Sequence, residues 1–111
     1  MIYHVKITEQ ARLDLKMIYE YIANVLMSPV IAEKQYFRIE DAIYSLDKMP
    51  ERFRQYEKEP WRSRNLRVMP VDNYIVFYIV DNGSRTATVI RIMYSSRNIE
   101  KELDDTVWPD H

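Results

Sequence analysis

Two apolar stripes of identical pattern constrain this chain more than any other feature. Ala11, Leu15, Ile18, Ile22 and Val25 recur at spacings of 4, 3, 4 and 3, and Ala32, Tyr36, Ile39, Ile43 and Leu46 repeat that spacing. Each set falls on one side of a helix. Ser28-Pro29 lies between them: serine suits the cap before a helix and proline its first turn. Pro50 ends the second segment. A link this short makes an antiparallel helical hairpin. Two helices with one apolar face each must cover something.

The rest of the chain supplies it. Residues 2–8 (IYHVKIT) set Tyr3, Val5 and Ile7 against His4, Lys6 and Thr8, the alternation of a half-buried strand. Thr8 is then the cap of the first helix, with Glu9 in its first turn. Residues 51–63 show no period and read as a charged loop. Three strands follow: Arg64 to Val71; Tyr74 to Val80, apolar on both faces and therefore central; and Arg85 to Tyr94. In the last, Thr86, Thr88, Ile90 and Ile92 alternate with Ala87, Val89, Arg91 and Met93. Asp72-Asn73 makes one turn. Asp81 to Ser84 makes the other, with Gly83, the only glycine, at a positive φ. The order β-α-α-β-β-β predicts an α+β fold: a helical hairpin on a mainly antiparallel four-stranded sheet. It is one domain over 1–111: strand 2–8, hairpin 9–49, three-stranded meander 64–94 and acidic tail 95–111. Ile99 to Leu103 adds a short helix, and the last residues fray.

Composition narrows the chemistry. With no cysteine among 111 residues, disulfides, thiolate metal sites and cysteine catalysis are excluded. One glycine leaves no phosphate loop. The longest apolar run, Tyr74 to Val80, is far short of a membrane span. The opening residues lack a signal peptide's basic and apolar regions, so the expected compartment is the cytoplasm, with no membrane partner. His4, on a strand surface, and terminal His111 are too far apart in sequence to suggest a metal site or a triad. No cofactor is implied.

Charge is balanced overall and segregated along the chain. Residues 60–99 carry six arginines against Asp72 and Asp81, while residues 100–111 carry five acids against Lys101. The acidic end is either a solvated tail or a shield for the basic face. The arginines are either surface ion pairs or a site for phosphate or carboxylate, which the planar guanidinium grips in bidentate fashion. Arg64 and Arg67 share a strand and point to opposite faces. Arg91, Tyr94, Ser95, Ser96 and Arg97 cluster at the end of the last strand. Such groups can cleave RNA without a metal, arginines holding the phosphate and tyrosine moving a proton. The competing reading has Arg91 in an ion pair and Tyr94 capping the core. Trp61 is either an exposed anchor or a plug of the sheet edge. Tyr19, Tyr21 and Tyr44 belong to the core or a wet stripe edge.

The element order, the opening VKITEQARLDLKMIYEYI, the Ser-Pro start of the second helix, and LRVMPVDNYIVFYIVD followed by VIRIMYSSRNIEKEL resemble the RelE/ParE superfamily of bacterial toxins over about residues 2–103. That resemblance implies the toxin of a type II toxin–antitoxin module, of the kind that stabilises plasmids, with a cognate antitoxin encoded beside it. Within the superfamily, RelE-like members cut mRNA on the ribosome and ParE-like members poison DNA gyrase. The ribonucleases place a basic residue after the aromatic that opens the central strand; here Ile75 follows Tyr74. ParE-like chains approach that strand through Arg–x–hydrophobic–Pro–Val, which Arg67 to Val71 resembles. Their last strand ends in a histidine–x–x–Arg–acid pattern, where this chain has Tyr94-Ser95-Ser96-Arg97-Asn98.

The first expectation is a ParE-like gyrase poison, contacting its target through Arg64, Arg67, Arg97, Ser96 and Trp61. The alternative is a RelE-like mRNA interferase using Tyr94, Arg91 and Arg67 as catalytic groups. A third is an inactive toxin fold that binds only its antitoxin. Antitoxin docking on the helical hairpin and a sheet edge suits all three. A homodimer through the helices is compatible with the sequence.

Overall fold

The computed structural model describes residues 2–109. Asp110, His111 and the expected fraying of the end lie outside them. The elements run β1 (His4–Ile7), α1 (Glu9–Glu20), a π turn (Tyr21–Val25), α2 (Pro29–Tyr44), β2 (Leu66–Val71), β3 (Tyr74–Asp81), β4 (Thr86–Tyr94) and α3 (Ile99–Asp104). The sheet order is β1-β4-β3-β2. β1 lies parallel to β4, and the other pairs are antiparallel. The expected α+β architecture is what the chain forms, with β3 and β4 central.

Local signals account for most of it. Thr8 caps α1, its side chain accepting from the Ala11 amide. Ala11 and Leu15 from α1 and Ile39, Ile43 and Leu46 from the second half of the hairpin bury against Met69, Val76, Tyr78, Val89 and Ile92 of the sheet. α2 ends at Tyr44, earlier than Pro50; a 3-10 turn over Ser45–Asp47 keeps Leu46 buried. The first stripe also stops short. The wider π turn ends α1, with the Leu26 amide donating to Tyr21 O, and it leaves Val25 in solvent.

The second sheet face is covered as well. Trp61, Leu66, Phe77, Ile79, Ile90, Met93 and Leu103 form a second core. The acidic end is therefore no loose tail, because its helix seals this core with Leu103. The outer edge of β2 is closed by the preceding connection, where Tyr56 N donates to Leu66 O and Val68 N to Arg54 O.

Three expectations about the strands are corrected. Arg64 does not lie on a strand with Arg67: it ends a 3-10 turn (Arg62–Arg64), and Asn65, at φ 62°, turns the chain into β2. Gly83 has no positive φ; that conformation falls on Arg85, while Asp81 Oδ1 takes the Gly83 amide. The alternation expected in β4 breaks at Ile90. Phe77 pairs with Arg91 and Tyr78 with Val89, so Ile90 is the extra residue of a β-bulge. One extra residue exchanges the faces of everything after it. Val89 and Ile92 therefore reach the helical side, and Ile90 and Met93 the other core.

Candidate functional site

A groove of about 1050 Å³ opens where the hairpin tip overhangs the end of the sheet. Met17, Ile18, Tyr21 and Leu26 line one wall, with Ile31 and Gln35 from α2. Tyr74, Met93 and Tyr94 line the other, continued by Ser96 and Arg97. Asp14, Arg91 and Glu102 lie at its polar end.

The groove exists because β1 is shorter than β4. Beyond Ile7, the α1 entrance takes over the β4 edge. Thr8 N donates to Val89 O and the Thr8 hydroxyl to Ile90 O, and Asp14 Oδ2 accepts from the Ile92 amide at 2.9 Å. Asp14 also holds Arg91 as a fork, with Nε–Oδ2 at 2.7 Å and Nη2–Oδ1 at 3.1 Å. Arg91 Nη1 donates to Glu102 O and to the Thr106 hydroxyl, each at 3.1 Å. Burial alone favours losing the guanidinium proton; the hydrogen bond and charge of Asp14, with Glu102, outweigh it and raise the Arg91 pKa. The bulge at Ile90 places Arg91 where these ligands meet.

Glu102 bridges two arginines: Oε2 stands 3.4 Å from Arg91 Nη2, and Oε1 accepts from Arg97 Nη1 at 3.0 Å. Arg97 itself is open to solvent, its side chain 55% exposed. The turn that carries it is pinned, Ser95 N donating to Asn73 O and Arg97 N to Tyr94 O. Tyr94 is 45% exposed and meets Tyr74 edge to face at 5.6 Å. Burial, then the neighbouring Tyr94 and Tyr21, push the Tyr74 hydroxyl above its ordinary pKa. It is held protonated, able to donate a hydrogen bond and poorly suited to act as a base.

The sequence-predicted residues divide accordingly. Tyr94, Ser96, Arg97 and Arg91 come together at the groove. Arg67 lies apart on β2, opposite Tyr78 of β3, donating to Phe53 O at 2.6 Å and Glu51 O at 3.2 Å and pairing with the Glu51 carboxylate. Arg64 lies over the Trp108 ring, 5.0 Å from its centre. Trp61 is 4% exposed and edge-on to Tyr56, so it plugs the second core and offers no surface anchor. Among the described residues, no group of three or more His, Asp or Glu side chains is placed to hold a metal ion. No described helix is long and apolar enough to cross a membrane.

Sequence reasoning missed the apolar wall. Met17 and Tyr21 of that wall lie four apart, one helical turn, beside the first stripe, and both are exposed. Val25, Leu26, Met27, Val30 and Ile31 are exposed at the hairpin tip. That density of apolar residues across a Ser-Pro break was the available signal.

The family model for the ParE toxin of type II toxin–antitoxin systems matches residues 5–99. The chain belongs to the ParE toxin family. It is thus a type II toxin of the RelE/ParE superfamily. Solved structures with the same fold include the chromosomal ParDE system of P. aeruginosa, at TM-score 0.68 and 21% identity over 84% of this chain and 96% of that one. The RelBE2 toxin–antitoxin complex of Mycobacterium tuberculosis gives TM-score 0.59 and 20% identity over 85% and 99%. A free RelE double mutant of E. coli gives 0.58 and 12% over 92% and 93%. At these identities the likeness establishes the fold. A search of curated proteins by sequence finds no match.

Proposed function

We propose that this ParE-family toxin acts by binding, with DNA gyrase as its target, and that a cognate antitoxin neutralises it. One observation carries the reading: the two arginines a ribonuclease would need are already engaged. Arg91 is buried on Asp14, and Arg67 ties down the chain at Glu51 and Phe53, away from the groove. What the groove offers instead is exposed apolar and aromatic surface with the amides of Gln10, Gln35 and Asn73. That is the composition of a protein-binding surface, and the two carboxylates that line it, Asp14 and Glu102, are paired with arginines. The antitoxin reading draws on the same surface. The solved structures of similar fold include toxin–antitoxin complexes.

The test is a supercoiling assay with purified gyrase and the purified toxin. Supercoiling is expected to fall and cleaved DNA to be trapped, while mRNA on purified ribosomes stays intact. Unimpaired supercoiling at saturating toxin overturns the gyrase target. Tyr94, Ser96 and Arg97 at one mouth of the groove favour the second reading, a ribosome-dependent mRNA endonuclease. Ribosome-bound mRNA cut by the toxin and spared by Tyr94→Phe would establish that instead. Overexpression that leaves growth unchanged would point to an inactive antitoxin binder.

A further inference from the structure

We propose that Glu102 is a built-in competitor for the exposed cation of the groove, occupying on Arg97 the position that an acidic side chain of the docked antitoxin takes. The proposal rests on the reading that the groove receives the antitoxin.

Arg97 and Arg91 are the cations that line the groove. Arg91 is saturated by Asp14, Glu102 O and Thr106. Arg97 is not: among the described residues its side chain has one partner, Glu102, which it meets through Nη1 alone. A guanidinium binds a carboxylate best through two parallel hydrogen bonds, so Nε and Nη2 leave room for a better-placed partner. Glu102 cannot supply that second bond while its other oxygen faces Arg91 at 3.4 Å.

The exchange needs no movement of α3. Leu103 is fully buried in the second core, and Thr106 is held by Glu102 O and Arg91. The helix therefore stays while the Glu102 side chain, partly exposed at the groove, rotates away. The occupant that fits is an amphipathic helical segment. Its apolar residues meet Met17, Tyr21, Leu26 and Ile31, and one carboxylate falls at Arg97. Charge complementarity points to an acidic residue there, since a basic one would meet Arg97 head-on. Removing the internal carboxylate should then strengthen the complex.

The experiment titrates the full-length toxin with the antitoxin encoded beside it, at low and high salt. Glu102→Gln is expected to lower Kd about two- to fivefold, the range of an exposed ion pair. Arg97→Gln is expected to raise Kd, and in that background Glu102→Gln should have no further effect. Glu102→Asp is the second variant, keeping the charge on α3 while withdrawing it from Arg97, and it should shift Kd in the same direction as Glu102→Gln. An unchanged or raised Kd in both Glu102 variants overturns the proposal. A partner-free measurement separates the two levels of failure. Modification of Arg97 by phenylglyoxal, followed by mass spectrometry, should speed up severalfold in Glu102→Gln. An unchanged rate means Glu102 does not cover Arg97, and the competition is then rejected. A faster rate with no antitoxin binding, even by the native protein, overturns the groove reading and the competition with it.

Discussion

Arg91 is where distant parts of the chain meet, since Asp14 comes from α1 and Glu102 and Thr106 from the C-terminal segment. An ion pair is one of the two readings the sequence offers for Arg91, and it is the one that forms; nothing local names Asp14, 77 positions away, as the partner. Breaking a buried pair costs more than forming it contributes, because one charge is left without compensation. Asp14→Ala is expected to lower stability by about 3–5 kcal/mol, measured by urea unfolding, because it also strands the Ile92 amide. Tyr78 gives a pH signature. Its buried hydroxyl donates to Pro50 O, and burial pushes its pKa up to about 12. A group whose folded pKa is raised adds stability that is fully present below its unfolded pKa and is lost as pH rises through the folded value. The native protein should therefore lose stability between its unfolded pKa, about 10, and pH 12. Tyr78→Phe should lack that part of the slope.

Elements were legible where the signal was local. Both stripes, the Ser-Pro break, the Thr8 cap and the two hairpin turns depend on residues a few positions apart. Thr8→Ala should cost about 1 kcal/mol of stability in thermal or urea unfolding, with α1 otherwise intact. The bulge at Ile90 was not legible, because an alternation of β-branched residues looks the same with or without a shift of register. Nor was the groove, which needs α1, α2 and β4 to be assembled before its walls face each other. Of the candidate site, Tyr94, Ser96 and Arg97 lie together at the groove because they adjoin in sequence. Arg67, Arg64 and Trp61 fell elsewhere because their places depend on the turn at Asn65. The exposed wall can be tested without harming the core. Met17→Asp and Ile31→Asp should shift stability by no more than about 0.5 kcal/mol. In a pull-down with the antitoxin, both should sharply reduce capture.

At the scale of the whole molecule, induced expression with early pulse labelling of DNA and protein synthesis reads out the target. On the gyrase reading, DNA synthesis should fail first. Translation stopping first would favour the mRNA endonuclease. The overall architecture was legible because its element order admits few arrangements. In the one that forms, the hairpin carries the chain from β1 to β2 at the opposite edge, and the meander returns β4 to lie parallel to β1.

That pairing sets a timetable. His4 to Ile7 dock on Thr86 to Val89, so the first strand has no strand to pair with until the last one has been made. A growing chain on the ribosome therefore carries its helical hairpin with the sheet it should cover still missing. The overhang at the end of β4, and whatever damage it does, comes into being only near the close of synthesis. A cell that translates the antitoxin earlier has its neutralising partner waiting when the surface first takes shape.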